Sequence, residues 1–152
     1  MNYKDEKVKK AMELLQSFWA INKTTTKFTQ QNAESLGITL QQLSIINTLY
    51  SFPGLTLKNI TERLMSSKST VSVSVDGLVK QGLVERTISK EDRREIHLKL
   101  TSKGEELSRK SSEKAFSYKA MVLALEKLDE NDVESLLRLH KELLACLQEI
   151  QL

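Results

Sequence analysis

Residues 69–86 read STVSVSVDGLVKQGLVER, and this stretch decides the fold. In its first half, valine and leucine recur every three or four residues, which predicts a helix with one buried face. Gly82 follows, in the position where a helix commonly ends with a left-handed glycine. Residues 84–88 come next and have the composition of a β-strand. The predicted buried face of the helix consists of Val71, Val75, Leu78 and Val79.

A second strand is predicted a few residues further on. Ile96, Leu98 and Leu100 alternate with polar residues, which is the pattern of a half-buried strand. The polar residue His97 is expected to face solvent. The two strands form a predicted hairpin, and its tip carries the basic residues Lys90, Arg93 and Arg94.

Three helices are predicted before this stretch. Apolar residues at helical spacing indicate a long first helix from Asp5 to about Gln31. Thr39 and Gln42 form a capping-box pattern that opens a second helix, and a short third helix follows over residues 57–64. Two short helices joined by a tight turn and followed at once by a hairpin are the winged variant of the helix-turn-helix. The predicted fold is therefore mainly α-helical, with a two-stranded β-wing.

Two further helices are predicted after the hairpin. Ser102 and Glu105 form a capping-box pattern for a helix that continues to Leu125, and Asp129 begins the last helix. The last helix has an apolar stripe with a period of about 3.5 residues, and the first helix has a matching stripe. Such stripes pack against other helices, and the periodicity leaves open whether those helices belong to the same chain or to a partner.

Three segments of the chain closely resemble the MarR family of bacterial transcriptional regulators. They are LKNITERL at 57–64, STVSVSVDGLVKQGLVER at 69–86 and SKEDRREIHLKLTSKGEEL at 89–107. The resemblance implies a winged helix-turn-helix homodimer that binds a pseudo-palindromic site on double-stranded DNA, usually as a repressor. It implies one domain over residues 1–152, with dimerisation helices at 1–36 and 105–152 and a DNA-binding lobe at 37–104.

The fourth helix is the predicted recognition helix. At about 100° per residue, its face opposite the buried valines is small and polar, which suits insertion into a major groove. Val73 lies on that face, where its methyl groups are placed to contact a thymine methyl. The family tends to place basic residues near Val73 and Gly77, whereas this chain has none there, and helix packing alone is the alternative role of both residues. The predicted DNA-contacting residues are Ser66, Ser67, Lys68, Ser69, Thr70, Ser72, Val73 and Gly77.

The wing supplies further predicted contacts. The resemblance places an Asp-x-Arg pair, whose arginine enters the minor groove, on Asp92 and Arg94. A guanidinium at the tip of a stiff hairpin suits a narrow, negatively charged groove, and Asp92 is placed to orient it. Lys90 and Arg93 belong to the same tip, although such charge runs also occur in loops that only face solvent. The predicted phosphate contacts at the start of the third helix are Thr56 and Lys58.

The resemblance also implies a signal that controls DNA binding. Family members commonly bind a small aromatic effector, and Trp19, Tyr50 and Tyr118 are candidate contacts for it, although such residues more often form core. Other members sense oxidants through a cysteine. Cys146 lies among leucines of the last helix, where a buried, unreactive thiol is expected. A redox-sensing regulator that uses Cys146 and a winged helix that binds another protein remain the alternatives.

Composition and charge exclude several other classes. The 152 residues carry a net charge of +3, and residues 54–104 carry 10 basic and 6 acidic groups, which favours a polyanion partner. No apolar run reaches the ~18 residues of a membrane span, and the lack of a secretory signal pattern predicts a cytoplasmic protein. The two histidines and one cysteine form no catalytic or zinc-binding pattern. We therefore expect no enzyme, no metal and no cofactor.

Overall fold

Seven helices and three strands make up residues 3–88 and 96–151, which are the residues described by this computed structural model. The chain divides into two compact units, Met1–Phe116 and Ser117–Leu152. The first unit contains α1 (Glu6–Ser35), α2 (Leu40–Ser51), β1 (Leu55–Thr56), α3 (Leu57–Arg63), α4 (Lys68–Lys80), β2 (Val84–Ile88), β3 (Ile96–Leu100) and α5 (Ser102–Lys114). The second contains nearly all of α6 (Phe116–Leu125) and all of α7 (Glu130–Glu149). This order confirms the predicted mainly α-helical winged helix-turn-helix.

The core of the first unit is built around α2 and α4. Val71, Val75 and Leu78 are fully buried as predicted, and Val79 packs against them while partly exposed. The hairpin contributes the inward-facing side of its alternating strands. The buried apolar residues are Ala33, Ile38, Leu43, Ile45, Ile46, Leu49, Ile60, Val71, Val75, Leu78, Leu83, Val84 and Leu98. Close packing of this set fixes α4 relative to α2 and the hairpin.

The sheet has three strands, whereas the prediction gave two. β3 lies in the middle and pairs antiparallel with β2 on one side and with the two-residue β1 on the other. Gly54, with φ of 81°, turns the chain into β1 and donates its N–H to the Leu98 carbonyl at 3.1 Å. The prediction missed β1 because two residues are too few to show strand periodicity.

His97 is half-buried and does not simply face solvent as expected. Its Nδ1 lies 2.6 Å from the carbonyl oxygen of Gly54. The prediction was wrong because β1, which the sequence did not reveal, covers this edge of β3. The contact ties the middle strand of the wing to the turn that precedes α3.

Three helices of the first unit end in the same motif, in which the residue after the cap is left-handed. Gly37 and Gly82 occupy this position after α1 and α4, with φ of 73° and 68°, which confirms the prediction for Gly82. After α3 the position is taken by Met65, with φ of 46°. In each case the left-handed residue and the residue after it donate their N–H groups to carbonyls of the helix. Met65 is unfavourable here because a left-handed backbone costs about 1–2 kcal/mol for a residue with a Cβ.

The N-terminal cap of α5 is Thr101, and the predicted cap Ser102 is the first helical residue. The Thr101 hydroxyl accepts the Gly104 N–H at 3.2 Å and donates to the Gly82 carbonyl at 2.7 Å. Gly104 lies so close to Leu83 that a Cβ would come within 2.1 Å of the Leu83 carbonyl oxygen. The docking of α5 on the end of α4 therefore makes Thr101 the cap in place of Ser102. The local sequence does not show this docking.

The helix predicted from residue 102 to Leu125 is interrupted at Ala115. This residue is left-handed, with φ of 31° and ψ of 55°, and its N–H bonds to the Ser111 carbonyl. The sequence gives no warning of the break, because neither glycine nor proline marks it. The last helix begins as predicted, with the Asp129 carboxylate accepting the Asn131 N–H at 2.9 Å.

The second unit has no core of its own among the residues described. No residue of α6 or α7 is buried. For the same reason Cys146 is exposed on α7, which corrects the expectation that it is buried. No helix in residues 3–88 and 96–151 combines the length and the apolar content needed to cross a bilayer.

Candidate nucleic-acid interface

The turn between α3 and α4 is fastened to α2. Gln41 donates its side-chain N–H to the Ser66 hydroxyl at 3.3 Å, and Ser66 donates to the Leu64 carbonyl at 3.1 Å. Ser66, which was predicted to contact DNA, is half-buried in this turn. The contacts fix the direction in which α4 leaves the turn.

Most of the predicted DNA-contacting residues lie together on the outer surface of α4. Val73 has 72% of its surface exposed, and it follows Ser69 and Thr70 along the same face. Ser72 is half-buried at the edge of this surface. The exposed predicted residues are Ser67, Lys68, Ser69, Thr70 and Val73. These five residues are called the α4 face below.

The hydroxyl groups of the α4 face bond to one another. Ser67 Oγ lies 2.9 Å from Ser69 Oγ and 2.8 Å from Thr70 Oγ1, and it accepts the Thr70 N–H at 3.1 Å as the helix cap. One turn later, Ser74 donates to the Thr70 carbonyl at 2.9 Å. Val73 is the large apolar side chain exposed among these hydroxyls.

Gly77 lies against α2, and its contact with DNA stays a prediction. A Cβ on Gly77 would come 2.7 Å from Gln42 Nε2. Gln42 is buried, and its Oε1 accepts the Thr39 N–H at 2.9 Å in the capping box of α2. Gly77 therefore makes room for a buried side chain, which is the packing role held open for it. A helical wheel alone does not reveal this contact, because it does not show the side from which α2 approaches α4.

An ion pair that the sequence did not reveal joins α4 to the wing. Asp76, three residues after Val73, accepts a hydrogen bond from the guanidinium of Arg86 on β2. Both side chains are partly exposed. The pair compensates the one negative charge that α4 carries, which would otherwise repel a phosphate backbone. Only the position of β2 beside α4 brings the two residues together, so spacing along the chain could not have identified them.

The two predicted phosphate contacts at the start of α3 differ in availability. Thr56 caps α3: its hydroxyl accepts the Asn59 N–H at 3.2 Å and donates to Asn59 Oδ1 at 2.7 Å. Lys58 is largely exposed, and its Nζ lies 3.9 Å from Glu62. The Lys58 ammonium is thus free to reorient, whereas a phosphate would have to compete with the cap for the Thr56 hydroxyl.

The predicted wing-tip contacts fall outside the described residues. Lys90, Asp92, Arg93 and Arg94 all lie between residues 88 and 96, so the structure tests none of them. The strands that lead to the tip end in the cross-strand pair Ile88 and Ile96, and both isoleucines are exposed.

The candidate effector residues lie on separate elements. Trp19 on α1 and Tyr118 on α6 are largely exposed, and Tyr50 on α2 is half exposed. Tyr50 borders a pocket of ≈ 140 Å³ that neither Trp19 nor Tyr118 lines. Its lining residues are Leu49, Tyr50, Pro53, Lys99, Leu100 and Glu105.

The described residues contain no cluster of metal-ligating side chains. Within residues 3–88 and 96–151, no group of three or more histidine, cysteine, aspartate or glutamate side chains is suitably placed. One carboxyl has a shifted pKa: on α5, the hydrogen bond from Lys110 lowers the pKa of Glu106. Glu106 is not one of the residues of the α4 face.

Comparisons with known proteins agree with this geometry. A model of the MarR family matches residues 36–95. The crystal structure of a multiple antibiotic-resistance repressor (MarR) from Listeria monocytogenes has a TM-score of 0.72 and 40% sequence identity, covering 95% of this chain and 99% of that one. The organic hydroperoxide resistance transcriptional regulator of Bacillus subtilis is 28% identical over 136 residues, 90% of each chain.

One similar structure includes nucleic acid. A mutant of S. aureus MepR bound to an oligodeoxyribonucleotide has a TM-score of 0.60 and 25% identity, and the match covers 88% of this chain and 97% of that one. These relatives are transcriptional regulators, which confirms the expectation that the chain is not an enzyme. The winged helix-turn-helix fold and 40% identity over nearly the whole length of a known member show that the chain belongs to the MarR family of DNA-binding transcriptional regulators.

Proposed function

We propose that the protein is a homodimeric repressor that binds a pseudo-palindromic operator through α4 and the wing and releases it when a small effector binds. The observation that carries the proposal is the α4 face, an exposed and nearly uncharged surface on a helix whose opposite side is fixed in the core. A helix presented in this way fits a major groove about 12 Å wide. The DNA-bound MepR mutant and the Listeria repressor support the assignment by similarity.

The proposed dimer is supported by apolar surface on α7. Without any buried residue, α6 and α7 gain little of the ~25 cal/mol per Å² that burial of apolar surface contributes. We propose that a second copy of the chain covers this surface. The large apolar residues exposed on α7 are Leu136, Leu137, Leu139, Leu144 and Leu147, with Ile150 at its C-terminal cap.

The first helix presents a similar surface in the other unit. Its exposed apolar residues are Met12, Leu14, Leu15, Trp19 and Ile21. We therefore assign residues 1–36 and 105–152 to dimerisation and residues 37–104 to the DNA-binding lobe. In such a dimer, two α4 helices about 34 Å apart would meet successive major grooves on one side of the duplex.

The proposed effector is a small aromatic compound. The pocket beside Tyr50 has a volume of ≈ 140 Å³, below the ~300–1,000 Å³ of drug-sized sites, and it is better matched to a single ring. Any such ligand releases DNA only if it prefers a conformation of the dimer that binds DNA weakly.

Redox sensing through Cys146 is a second candidate for the signal, because this thiol is exposed. Treatment with an organic hydroperoxide would then release DNA from the wild type but not from Cys146→Ser. Equal release from both proteins, or from neither, would reject Cys146 as the sensor. The similar hydroperoxide resistance regulator is the reason to use this oxidant.

Selection from a random duplex pool tests the proposed function. The purified full-length protein should enrich a two-fold symmetric sequence whose half-sites are about 10 bp apart. Enrichment of an asymmetric site would argue against a symmetric dimer on DNA. No enrichment above background would favour the alternative in which the winged helix binds another protein.

A further inference from the structure

We propose that α4 recognises its operator through the 5-methyl groups of thymine, with Val73 as the specificity-determining contact. The inference rests on the proposed function, in which α4 enters the major groove. Val73 is the large apolar residue that α4 exposes, and 72% of its surface is free. Valine is also a poorer helix former than alanine, so neither helix stability nor burial within the chain explains why a valine occupies this position.

The side chains that usually read bases in pairs of hydrogen bonds are missing from α4. Arginine and lysine read guanine in this way, and asparagine and glutamine read adenine. The helix KSTVSVSVDGLVK contains no arginine, asparagine or glutamine, and its two lysines, Lys68 and Lys80, stand at its ends. Asp76 is already paired with Arg86. The middle of α4 therefore has no obvious two-bond reader of a base edge.

Two hydroxyls near Val73 on the same side of α4, those of Thr70 and Ser74, form hydrogen bonds within the helix. Thr70 Oγ1 lies 2.8 Å from Ser67 Oγ, and the exposed Thr70 side chain also carries a methyl group. Ser74 donates to the Thr70 carbonyl at 2.9 Å. Thr70 and Ser74 thus already hydrogen-bond within the helix, and the largely exposed side chain between them, Val73, is apolar.

Thymine is the DNA base that complements such a surface. Among the four bases, it alone carries a methyl group in the major groove. Contact between this methyl and the Val73 methyls removes both from water. Burial of one methyl-sized group corresponds to about a threefold to fivefold change in affinity. Operator half-sites are therefore expected to contain one or two thymines whose methyl groups are read directly.

Deoxyuridine substitution tests the inference. It removes only the 5-methyl group of a thymine and leaves the hydrogen-bonding pattern of the base pair intact. Each thymine of the selected operator is replaced singly, and affinity is measured for the wild type and for Val73→Ala. Deoxyuridine at one or two positions in each half-site should lower the affinity of the wild type by about threefold to fivefold. The affinity of Val73→Ala should not fall at those positions.

Two controls separate readout from folding. Val73→Thr keeps the branched shape and one methyl, so its sensitivity to deoxyuridine should be intermediate. Thermal unfolding should show neither variant destabilised, because the side chain is exposed, and Val73→Ala should gain about 0.5 kcal/mol from the higher helix propensity of alanine. If the wild type ignores deoxyuridine, or if Val73→Ala retains the same sensitivity at the same positions, the inference is wrong while the proposed function stands. Failure to bind any duplex would overturn the proposed function and the inference with it.

Discussion

Arg86 of β2 donates a hydrogen bond to the carboxylate of Asp76 on α4, so the wing and the recognition helix are joined by an ion pair. Both side chains are partly exposed, and such pairs contribute only ~0.2–1 kcal/mol to stability. Because the pair lies beside the proposed DNA-binding surface, we expect it to affect DNA binding more than folding. Arg86 neutralises the Asp76 carboxylate, which would repel the phosphates of DNA bound in the proposed way.

Arg86→Ala is therefore expected to lower affinity for the selected operator by about tenfold, because it leaves Asp76 uncompensated near the DNA. Fluorescence anisotropy measures the affinity, and urea denaturation should show a change in unfolding free energy of no more than about 1 kcal/mol. The double variant Arg86→Ala with Asp76→Ala should recover part of the affinity. A double variant that binds no better than Arg86→Ala would show that Arg86 contacts DNA itself.

Gly77→Ala should fail to stabilise α4. In an open helix this substitution gains roughly 1 kcal/mol, but here the new Cβ would meet Gln42 Nε2 at 2.7 Å. We expect no gain, or a loss, in the free energy of unfolding measured in urea. The matched control is the same change in a Gln42→Ala background, where the gain of roughly 1 kcal/mol should return. A full gain in the wild-type background would mean that Gln42 moves aside freely.

Met65→Gly should stabilise the protein by about 0.5–1 kcal/mol. The left-handed backbone costs Met65 about 1–2 kcal/mol, and the greater flexibility of an unfolded glycine offsets part of the relief. The side chain is 95% exposed, so its removal loses no packing. Met65→Ala, which also removes the side chain but keeps the Cβ, should leave stability within about 0.5 kcal/mol of the wild type. Equal stabilisation by both variants in a thermal unfolding assay would rule out backbone strain as the cause.

Gly104→Ala should destabilise the first unit by about 1–3 kcal/mol. A Cβ would lie 2.1 Å from the Leu83 carbonyl oxygen, and a backbone atom cannot rotate away as a side chain can. The control Ser102→Ala should change stability by less than about 0.5 kcal/mol, because the helix cap is Thr101. The urea concentration at the midpoint of unfolding measures the stability of both variants. A tolerated Gly104→Ala would mean that α5 docks less closely on the end of α4.

The dimer predicts an asymmetric response of α7 to added charge. Leu147→Glu places a carboxylate in the apolar stripe and should shift the protein towards monomer in sedimentation equilibrium, because an unpaired charge is costly to bury. Ala145→Glu adds the same charge to the same helix on its opposite, polar side, close to the Arg138 and Glu142 ion pair. It should leave the association unchanged. Equal association of both variants would place the interface elsewhere.

The parts of the fold that the sequence predicted are those set by local chemistry. The buried spacing of Val71, Val75 and Leu78 depends only on helix periodicity, and Gly82 ends α4 because only glycine adopts that conformation without strain. The reciprocal bonds of Thr39 and Gln42 likewise involve residues three positions apart. Each of these features is decided within one element and its two ends.

The parts that the sequence did not predict are set by contacts between elements. Gly77 and the Asp76–Arg86 pair depend on how α2 and β2 lie against α4, and periodicity carries no such information. Thr101 replaces Ser102 as a cap because α5 docks on the end of α4. The α4 face itself was predictable, because the buried side of a helix also determines which residues lie on its exposed side.

The central claim, that a dimer of this chain reads duplex DNA through α4, is tested most directly by titrating the selected operator with the full-length protein over a series of salt concentrations. We predict two chains per operator and an affinity that falls steeply with salt, with a log–log slope of about −0.9 for each phosphate neutralised and several phosphates in total. Tight binding should be lost when the operator sequence is scrambled. A slope near zero, or equal affinity for the operator and the scrambled duplex, would contradict the account.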